Sequence, residues 1–557
     1  MDAEIRGYRQ RWIAQLILTI LGQGISFVGF ILTTLFRTNT MPEKWLAIGG
    51  FWFGLGLLLF TASRIAIPYA DPIILPLVLT LTGIGLAFLY RYDLTSNQDP
   101  MFYTQFLAVA VGVGCLLVII FLLKDPRRLK GYPFILSALG FVLLLLPLIP
   151  GLGSSAYGSR IWISIGGFSF QPAEVAKIVL AAAFAAYLSD KREVLSMAGN
   201  RILGLDLPRM RDLGPVMVMW GMSLAIMVFQ NDLGTSLLFF GLFVMMIYVA
   251  TGKGSWVILG LVLFAAGGAA VVKFASHVQR RIDFWLRPFD YPNDATQIIQ
   301  AQFGFSHGGL LGSGWGMGRP DLIIFAYSDM VAASIGEEIG IVGLMAIVAL
   351  YGILVFRGLK TSLVTVDPFT KLFAAGLSFA FLLQTFSIIG GVTRLLPLTG
   401  LTTPFLSQGG SSMIANWILI ALLLVMSHQA RRPHAQIGEA SAWGITALGE
   451  ESTQVFSSRE LAQIGIGEIH PIQEINAEQV RLTLTGQPMI AGGDDTGVPN
   501  EETTEVVPNL DAQFYPNRTR YELAPESLFV PQEPKPAPQI PTSFEDDDDD
   551  YFGKGTE

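Results

Sequence analysis

The chain has 557 residues, of which 52% are hydrophobic and only 14% are charged, and its formal net charge is -8. Soluble domains carry about a quarter charged residues, so this composition excludes an ordinary soluble protein. The apolar residues form blocks of about 20, the length that crosses the hydrocarbon core of a bilayer. A single cysteine, Cys115, excludes an intrachain disulfide and a cysteine-rich metal site. We therefore predict an all-α polytopic membrane protein.

Hydropathy predicts about twelve membrane-spanning helices. They run near residues 12–36, 46–67, 72–91, 103–124, 132–150, 172–189, 215–230, 233–250, 255–274, 330–356, 370–391 and 411–428. An even number of spans places both termini on one side. Basic residues such as Arg127 and Lys191 in the short loops of that side make it cytoplasmic by the positive-inside rule. The loops 151–171, 275–329 and 392–410 are then extracytoplasmic.

The composition changes near residue 430. Residues 431–557 contain no spanning block, are rich in Pro, Glu, Asp, Gln and Thr, and include the acidic run 545–550. Such a segment buries too little apolar surface to offset its ordering entropy, so we predict a disordered cytoplasmic tail. The acidic run either keeps the tail solvated or docks a regulatory partner. The predicted organisation is two N-terminal helices in 1–70, a transmembrane core in 71–430 and this tail.

Ionisable residues lie where the predicted outer loops meet the membrane. Glu174 and Lys177 are one helical turn apart and therefore share a helix face. An ion pair at this depth indicates a functional site, or else a structural pair that locks helices together. Asp232 follows Gln230 and Asn231 between two apolar blocks, where it either caps the next helix or shapes an outer cavity.

The largest outer loop carries Arg280, Arg281 and, after a glycine-rich stretch at 304–318, Arg319. These glycines do not form a nucleotide-binding motif, since no Gly-Lys-Ser/Thr follows and no βαβ pattern surrounds them. We predict a flexible loop near the lipid headgroups. Asp329 directly precedes a predicted span, where capping the helix is the simplest role for an aspartate.

The last outer loop holds Arg394 and leads into Ser411 and Ser412. Its prolines and glycines predict non-helical backbone, which at membrane depth must line a cavity or be buried in protein. Arginines bind a diphosphate bidentately, and a carboxylate can accept a proton from a hydroxyl. The outer face therefore suits an anionic, lipid-linked substrate. The five histidines have no zinc-ligand spacing, and neither nucleotide nor nucleic acid is expected.

Several separated motifs resemble those of the SEDS family (shape, elongation, division and sporulation). In chain order they are Arg160-Ile161-Trp162, Gln171-Pro172-Ala173-Glu174, Gln230-Asn231-Asp232-Leu233-Gly234-Thr235, the glycine-rich stretch, Gly336-Glu337-Glu338-Ile339-Gly340, Leu396-Pro397-Leu398-Thr399-Gly400 and Gly409-Gly410-Ser411-Ser412. The resemblance covers residues 60–430. It implies a transmembrane glycosyltransferase core of about ten spans. The two further N-terminal spans have no role that the sequence gives.

The resemblance implies a peptidoglycan glycosyltransferase of the bacterial cell membrane that polymerises lipid II. Its implied partners are a class B penicillin-binding protein and other elongation or division machinery. Asp329 is the implied catalytic residue, because Tyr327-Ser328-Asp329-Met330 stands where the family has His-Thr-Asp-Phe. The last loop resembles the elongation-type (RodA-like) members. A division-type (FtsW-like) member, a lipid II flippase and a non-catalytic scaffold remain alternatives.

The predicted reaction is a single inverting displacement. Asp329 would accept the proton of the acceptor 4-hydroxyl as it attacks the anomeric carbon of an undecaprenyl-diphosphate donor, giving a β-1,4 bond. Positive charge for the leaving diphosphate would come from Arg160, Arg280, Arg281, Arg319 or Arg394, with Mg²⁺ or another divalent cation as an open option. The other predicted substrate-binding residues are Glu174, Lys177, Asp232, Ser411 and Ser412.

Overall fold

The computed structural model describes residues 2–432, with gaps at 97–99, 124, 157–158, 166–167, 193–200, 203–204, 207–209 and 275, together with 480–482 and 488–490. Its contacts divide the chain into Met1–His434 and Ala435–Glu557. In the second unit the described residues form two antiparallel strands, Val480–Leu482 and Pro488–Ile490. The predicted disorder of the tail otherwise concerns positions outside the described residues.

The described part of the first unit is mainly helical. Its helices are α1 (Asp2–Thr38), α2 (Trp45–Ala66), α3 (Ile74–Asp93), α4 (Phe102–Leu122), α5 (Pro133–Leu145), α6 (Ala173–Asp190), α7 (Met210–Phe229), α8 (Leu233–Thr251), α9 (Ser255–Phe274), α10 (Ser276–Leu286), α11 (Thr296–Gly308), α12 (Val331–Val364), α13 (Pro368–Val392) and α14 (Gly410–Arg431). Short 3-10 helices cover Pro126–Gly131, Leu146–Leu148, Pro288–Asp290 and Pro320–Leu322.

The described residues of the first unit also form five short strands. Between α5 and α6, strands β1 (Gly153–Ala156), β2 (Ser159–Ile165) and β3 (Phe168–Phe170) form an antiparallel sheet in the order β1-β2-β3. Strands β4 (Arg201–Ile202) and β5 (Leu205–Asp206) pair between α6 and α7.

Each predicted span overlaps one of these helices. Eight helices of the described residues are long and apolar enough to cross a membrane, and Pro133–Leu148, Met217–Phe229 and Ser255–Ala269 are shorter apolar helices. Helix α6, which corresponds to the predicted span 172–189, is not among these helices, and it contains the ionisable residues Glu174 and Lys177. The prediction of a helical, multi-pass membrane protein is confirmed, whereas the number of twelve spans stays a prediction.

Helix α14 lies at the centre of the packing. Its residues from Ala415 to Val425 are nearly all buried, which is typical of a helix that is apolar on every side. It packs against α4, where Gly112 lies under the Trp417 ring and a Cβ would approach Trp417 Cδ1 to 2.8 Å. The Trp417 ring also meets Phe405 edge-on, with centroids 6.0 Å apart. Through this contact, α14 packs against the last loop, which contains Phe405.

The segments that connect the helices lie on two opposite faces of the helical unit, as the contacts between helix ends show. On one, which we call the site face, Arg37 contacts Gly316 and the β2 residue Ser159 contacts Asn231. The opposite face is marked by Asp71, which lies between α2 and α3. Its buried carboxylate pairs with Arg357 Nη2 at 2.6 Å and with Arg431 Nη2 at 2.8 Å. One carboxylate therefore joins α12 and α14 to the α2–α3 connection.

The substitution Asp71→Ala should destabilise the protein strongly, because it leaves two largely buried guanidinium groups without their carboxylate. Breaking such a pair costs about 3 kcal/mol. The matched control is Asp190→Ala, since Asp190 is half exposed and pairs with Lys130 at 3.2 Å. An exposed pair contributes about 0–1 kcal/mol. Thermal unfolding of the detergent-purified variants measures the difference, and equal losses of Tm would contradict the structural role given to Asp71.

Candidate active site

Several elements of the site face contact the segment 396–402 of the last loop. Its backbone carbonyls accept hydrogen bonds from Arg281 Nη1 at 3.4 Å and from Gln384 Nε2 at 3.1 Å. Gly234, at the start of α8, lies so close that a Cβ there would come within 2.6 Å of a carbonyl oxygen of this segment. Elements far apart in the chain, namely α8, α10 and α13, therefore meet at one loop.

Asp329 lies against the same segment. Its Oδ2 atom would be 3.9 Å from a Cβ built on Gly400, a residue with φ +71°. The backbone before it is attached to the last loop by two hydrogen bonds. Gln408 N donates to the Tyr327 carbonyl at 2.8 Å, and Ser407 Oγ donates to the Ser328 carbonyl at 2.7 Å. The position of Asp329 is thus set by loop-to-loop contacts.

The interpretation of Asp329 as a helix cap is wrong. The residue that precedes α12 is Met330, and among the described residues no side-chain hydrogen bond caps this helix end. Within the described part of the chain, no hydrogen bond or ion pair involves the Asp329 carboxylate. The side chain is only partly buried. Its oxygens therefore remain available to a ligand.

The surroundings shift the Asp329 carboxyl toward neutrality. Burial raises its pKa from the ordinary value to about 6, and the positive charge of Arg281 acts in the lowering direction. The pKa of Asp232 is also raised by burial, while its bonds to Thr235 lower it, the charge of Glu174 raises it and that of Arg281 lowers it. Arg281 is therefore within electrostatic range of two carboxylates on the site face.

Asp232 is the helix cap that the sequence allowed. Its Oδ1 atom accepts the Thr235 backbone N–H at 3.0 Å, at the start of α8. The other oxygen, Oδ2, is buried and has no hydrogen-bond partner among the described residues. One oxygen thus stabilises the helix end, and the second is unpaired in the same neighbourhood as Glu174 and Arg281.

Glu174 and Lys177 form a buried pair that continues to the last loop. Lys177 Nζ donates to Glu174 Oε2 at 2.6 Å and to Gln384 Oε1 at 2.8 Å. The amide of Gln384 then donates to the carbonyl of Thr402. This chain of hydrogen bonds joins α6, α13 and the last loop. A buried ion pair thereby also contributes to the position of the last loop.

Arg394 is engaged in structural contacts. Its Nη2 donates to the carbonyl of Trp285 at 3.0 Å, and the Trp285 indole N–H donates back to the Arg394 carbonyl at 2.9 Å. A further bond reaches the Leu286 carbonyl at 3.4 Å. These reciprocal bonds hold the end of α10 on the last loop, so that Arg281 on the same helix is oriented toward the site.

The other predicted site residues occupy varied settings. Arg319 is exposed and pairs with Asp321 at 2.8 Å, so its guanidinium is already partnered. Ser412 Oγ accepts Asn416 Nδ2 at 3.2 Å within α14, and Ser411 is buried beside it. Arg160 on β2 and Arg280 on α10 are exposed. The roles of these residues in binding stay predictions.

The glycine-rich stretch differs from the flexible loop that the sequence predicted. Gly314 N donates to the Glu338 carbonyl at 2.9 Å, and Gly316 N donates to Glu338 Oε2 at 2.9 Å. Ser313 N donates to the Glu337 carbonyl at 3.0 Å. The loop is therefore attached to the first turns of α12, because the two glutamates supply acceptors that the pattern of glycines does not reveal.

Arg91, which the sequence motifs did not single out, completes this attachment. Its Nε atom pairs with Glu338 Oε1 at 2.9 Å, and both side chains are fully buried. Its Nη2 atom donates to the Gly318 carbonyl at 2.6 Å. An arginine at the end of an apolar block is a signal that could have identified it, since charges there are kept only with partners.

The described residues contain no cluster of three or more His, Cys, Asp or Glu side chains suited to a metal ion. The expectation of a divalent cation stays a prediction.

Known proteins resemble the chain over this region. The model of the family of FtsW, RodA and SpoVE, described as cell cycle protein, matches residues 72–432. The chain is 43% identical over 450 residues to the peptidoglycan glycosyltransferase RodA of Mycobacterium tuberculosis (strain ATCC 25618 / H37Rv), covering 79% of this chain and 95% of that protein. The probable peptidoglycan glycosyltransferase FtsW of Geobacter metallireducens is 32% identical over 366 residues, which cover 64% of this chain and 94% of that protein.

A solved structure supports the fold. It is described as "Structural coordination of polymerization and crosslinking by a peptidoglycan synthase complex", and it matches with a TM-score of 0.54 at 24% identity, over 66% of this chain and 99% of that one. The family match covers most of the described residues, and it includes Asp329, Arg281 and the last loop. The resemblance to the SEDS proteins is therefore confirmed, and the chain belongs to the FtsW/RodA/SpoVE family of cell-cycle proteins.

Proposed function

We propose that the protein is a peptidoglycan glycosyltransferase of the elongation (RodA-like) type, which polymerises lipid II at the site face. The observation that carries this proposal is the carboxylate of Asp329, which has no hydrogen-bond or ion-pair partner among the described residues. Its pKa is raised, and it lies beside Arg281 and the last loop. The elongation type is supported by the higher identity to the mycobacterial RodA than to the FtsW protein.

Asp329 has the properties of a general base for glycosyl transfer. A carboxylate with a pKa of about 6 is ionised at neutral pH and is a stronger base than an ordinary aspartate. It would accept the proton of the acceptor 4-hydroxyl while the oxygen attacks the anomeric carbon. The bond to the undecaprenyl diphosphate breaks in the same step, so the α-linked donor becomes a β-1,4 linkage.

Arg281 is the best-placed cation for the leaving diphosphate. It uses one guanidinium nitrogen on the Leu398 carbonyl, and a guanidinium has five N–H donors. Donors therefore remain for diphosphate oxygens, and Arg280 on the same helix is exposed. Because Arg394 and Arg319 are engaged by protein groups, we rank them below Arg281. A divalent cation would add positive charge at the diphosphate.

The proposed cellular arrangement places the site face outside the membrane and both termini in the cytoplasm. Basic loop residues on the opposite face support this orientation. The expected partner is a class B penicillin-binding protein, which supplies crosslinking. Support comes from the solved relative, described as a peptidoglycan synthase complex that coordinates polymerisation and crosslinking.

The substitution Asp329→Asn should abolish polymerisation, because an amide of the same shape cannot accept the hydroxyl proton. We expect a loss of at least about 10²-fold. The assay supplies labelled lipid II to the protein in complex with its penicillin-binding partner, whose transpeptidase is inactivated, and measures glycan on a gel. Asp321→Asn is the matched control, since it makes the same change in the same loop at an exposed position.

Three outcomes of this assay would be informative. Polymer from both Asp329→Asn and wild type would leave the enzyme assignment standing and remove Asp329 as the base. Loss only in Asp329→Asn, with normal folding and complex formation, supports the proposal. No polymer from wild type, while an independent polymerase works in the same mixture, would favour a flippase or a scaffold.

The rate of polymerisation should depend on pH through Asp329. A base acts in its deprotonated form, so kcat/KM should rise with pH and level off above the pKa of about 6. Since the charge of Arg281 lowers this pKa, the variant Arg281→Gln should shift the inflection of its residual activity to higher pH. Arg280→Gln, a change at the neighbouring exposed arginine, should leave the inflection in place. Coincident inflections in wild type and Arg281→Gln would contradict the interaction between Arg281 and Asp329.

The orientation can be tested by cysteine labelling in a Cys115→Ser background. Arg280→Cys introduces a thiol on the site face, and Lys360→Cys introduces one on the opposite face. A membrane-impermeant maleimide added to intact spheroplasts should label the first variant and not the second. In inverted vesicles the pattern should reverse. Labelling of Lys360→Cys alone in spheroplasts would place the site face in the cytoplasm and refute the proposed arrangement.

A further inference from the structure

Helix α1 lies outside the matched residues 72–432, and yet it contacts the glycine-rich loop within them. Arg37, in the last turn of α1, donates from Nε to the Gly316 carbonyl at 3.1 Å and from Nη2 to the Gly318 carbonyl at 3.1 Å. A guanidinium can span two carbonyls in this way because its donors lie in a rigid fork. The N-terminal helix is therefore joined to the core by a two-carbonyl contact.

Trp315 makes the reciprocal contact from the loop. Its indole N–H donates to the Gly29 carbonyl at 2.8 Å and to Thr33 Oγ1 at 2.9 Å, both on α1. The Trp315 ring lies over Gly29, where a Cβ would be 3.5 Å from it. Loop and helix thus exchange donors in both directions, which fixes their relative position more closely than one bond would.

Helix α1 is itself firmly seated in the bundle. Gly22 and Thr80 of α3 approach closely enough that a Cβ at Gly22 would clash with the threonine side chain. Gln15 Nε2 donates to Ser63 Oγ of α2 at 3.2 Å, and Gln23 is buried as well. Small residues and interhelical hydrogen bonds of this kind hold transmembrane helices together. Contacts at the end of α1 are therefore made from a well-anchored element.

The same loop is attached on its other side to α12. The Gly318 carbonyl that accepts from Arg37 also accepts from Arg91, and Gly316 N donates to Glu338 Oε2. Gly314 and Gly316 have φ values of +106° and +85°, so this backbone needs external contacts to hold one conformation. After the loop, the chain passes through Arg319 to Asp329 and then enters α12.

We propose that α1 is a positioning element for the active site, with Arg37 and Trp315 as its positioning residues. They hold residues 314–318 against the first turns of α12 and thereby restrict the segment that carries Asp329. This inference rests on the proposed function for its effect on catalysis. The contact between α1 and the loop is a structural claim that can be tested without it.

Kinetics of Arg37→Gln provide the first test. We expect kcat for polymerisation to fall about tenfold, with KM for lipid II unchanged within about twofold, because a loosened segment misplaces the base while binding contacts remain. Trp315→Phe keeps an aromatic ring at this position but removes the indole N–H that bonds to α1, so it should lower kcat in the same way. Arg37→Lys keeps the charge and one donor group, and should restore part of the loss. Lys44→Gln, an exposed site-face position, is the charge-matched control.

Hydrogen exchange measures the attachment of the loop independently of enzymatic activity. In the full-length complex, peptides covering 312–320 should exchange at least about tenfold faster in Arg37→Gln than in wild type or Lys44→Gln. Peptides within α3 and α14 should be unchanged, which separates local loosening from global destabilisation.

The outcomes distinguish this inference from the proposed function. If residues 312–320 exchange at the wild-type rate in both Arg37→Gln and Trp315→Phe, the inference is overturned, whatever the activity of the protein. Faster exchange with an unchanged kcat also overturns it, since the contact would then not position the site. Absence of polymer from wild type, with faster exchange in the variants, would instead refute the proposed function and leave only the attachment of the loop by α1.

Discussion

The site face is governed by the need to satisfy non-helical backbone at the edge of the membrane. A bilayer core supplies no hydrogen-bond partners, so irregular segments there must find them within the protein. The last loop finds them in Gln105 of α4, Gln384 of α13 and Arg281 of α10. These bonds bring separate helices to one place. The position of Asp329 follows, because the backbone of Tyr327 and Ser328 is among the partners of that loop.

The same requirement separates the charged residues into two groups. One group is already bonded to protein partners, and removing any member would leave buried groups unpaired; it contains Glu338, Arg91 and Arg394. The Asp329 carboxylate has no such partner among the described residues, and Arg281 retains donors beyond its bond to Leu398. Charge near a transmembrane site is therefore no guide to chemistry by itself. The hydrogen bonds already made decide which groups a substrate can engage.

The N-terminal helix extends this arrangement beyond the shared core of the family. Arg37 and Arg91 approach the same carbonyl of Gly318 from two different helices, while Glu338 accepts from Gly316. The glycine-rich loop thus lies between α1 and α12. Its glycines permit the backbone conformation, and side chains from both helices select it. A helix without an evident role in the sequence becomes part of the framework around the candidate site.

Local patterns in the sequence determined the helical, multi-pass character of the protein, since a run of apolar residues long enough to cross a bilayer has few alternatives to a helix. Ordered motifs also identified the family, and Asp232 was recognised as a possible cap from its neighbours alone. The tertiary structure decided the rest. Asp329 fails to cap α12 because Met330 occupies that position, and the loop predicted to be flexible is held by Glu337, Glu338 and Arg37. These contacts join residues far apart in the chain, so no local pattern could specify them, and they alone determine which polar groups remain available for chemistry.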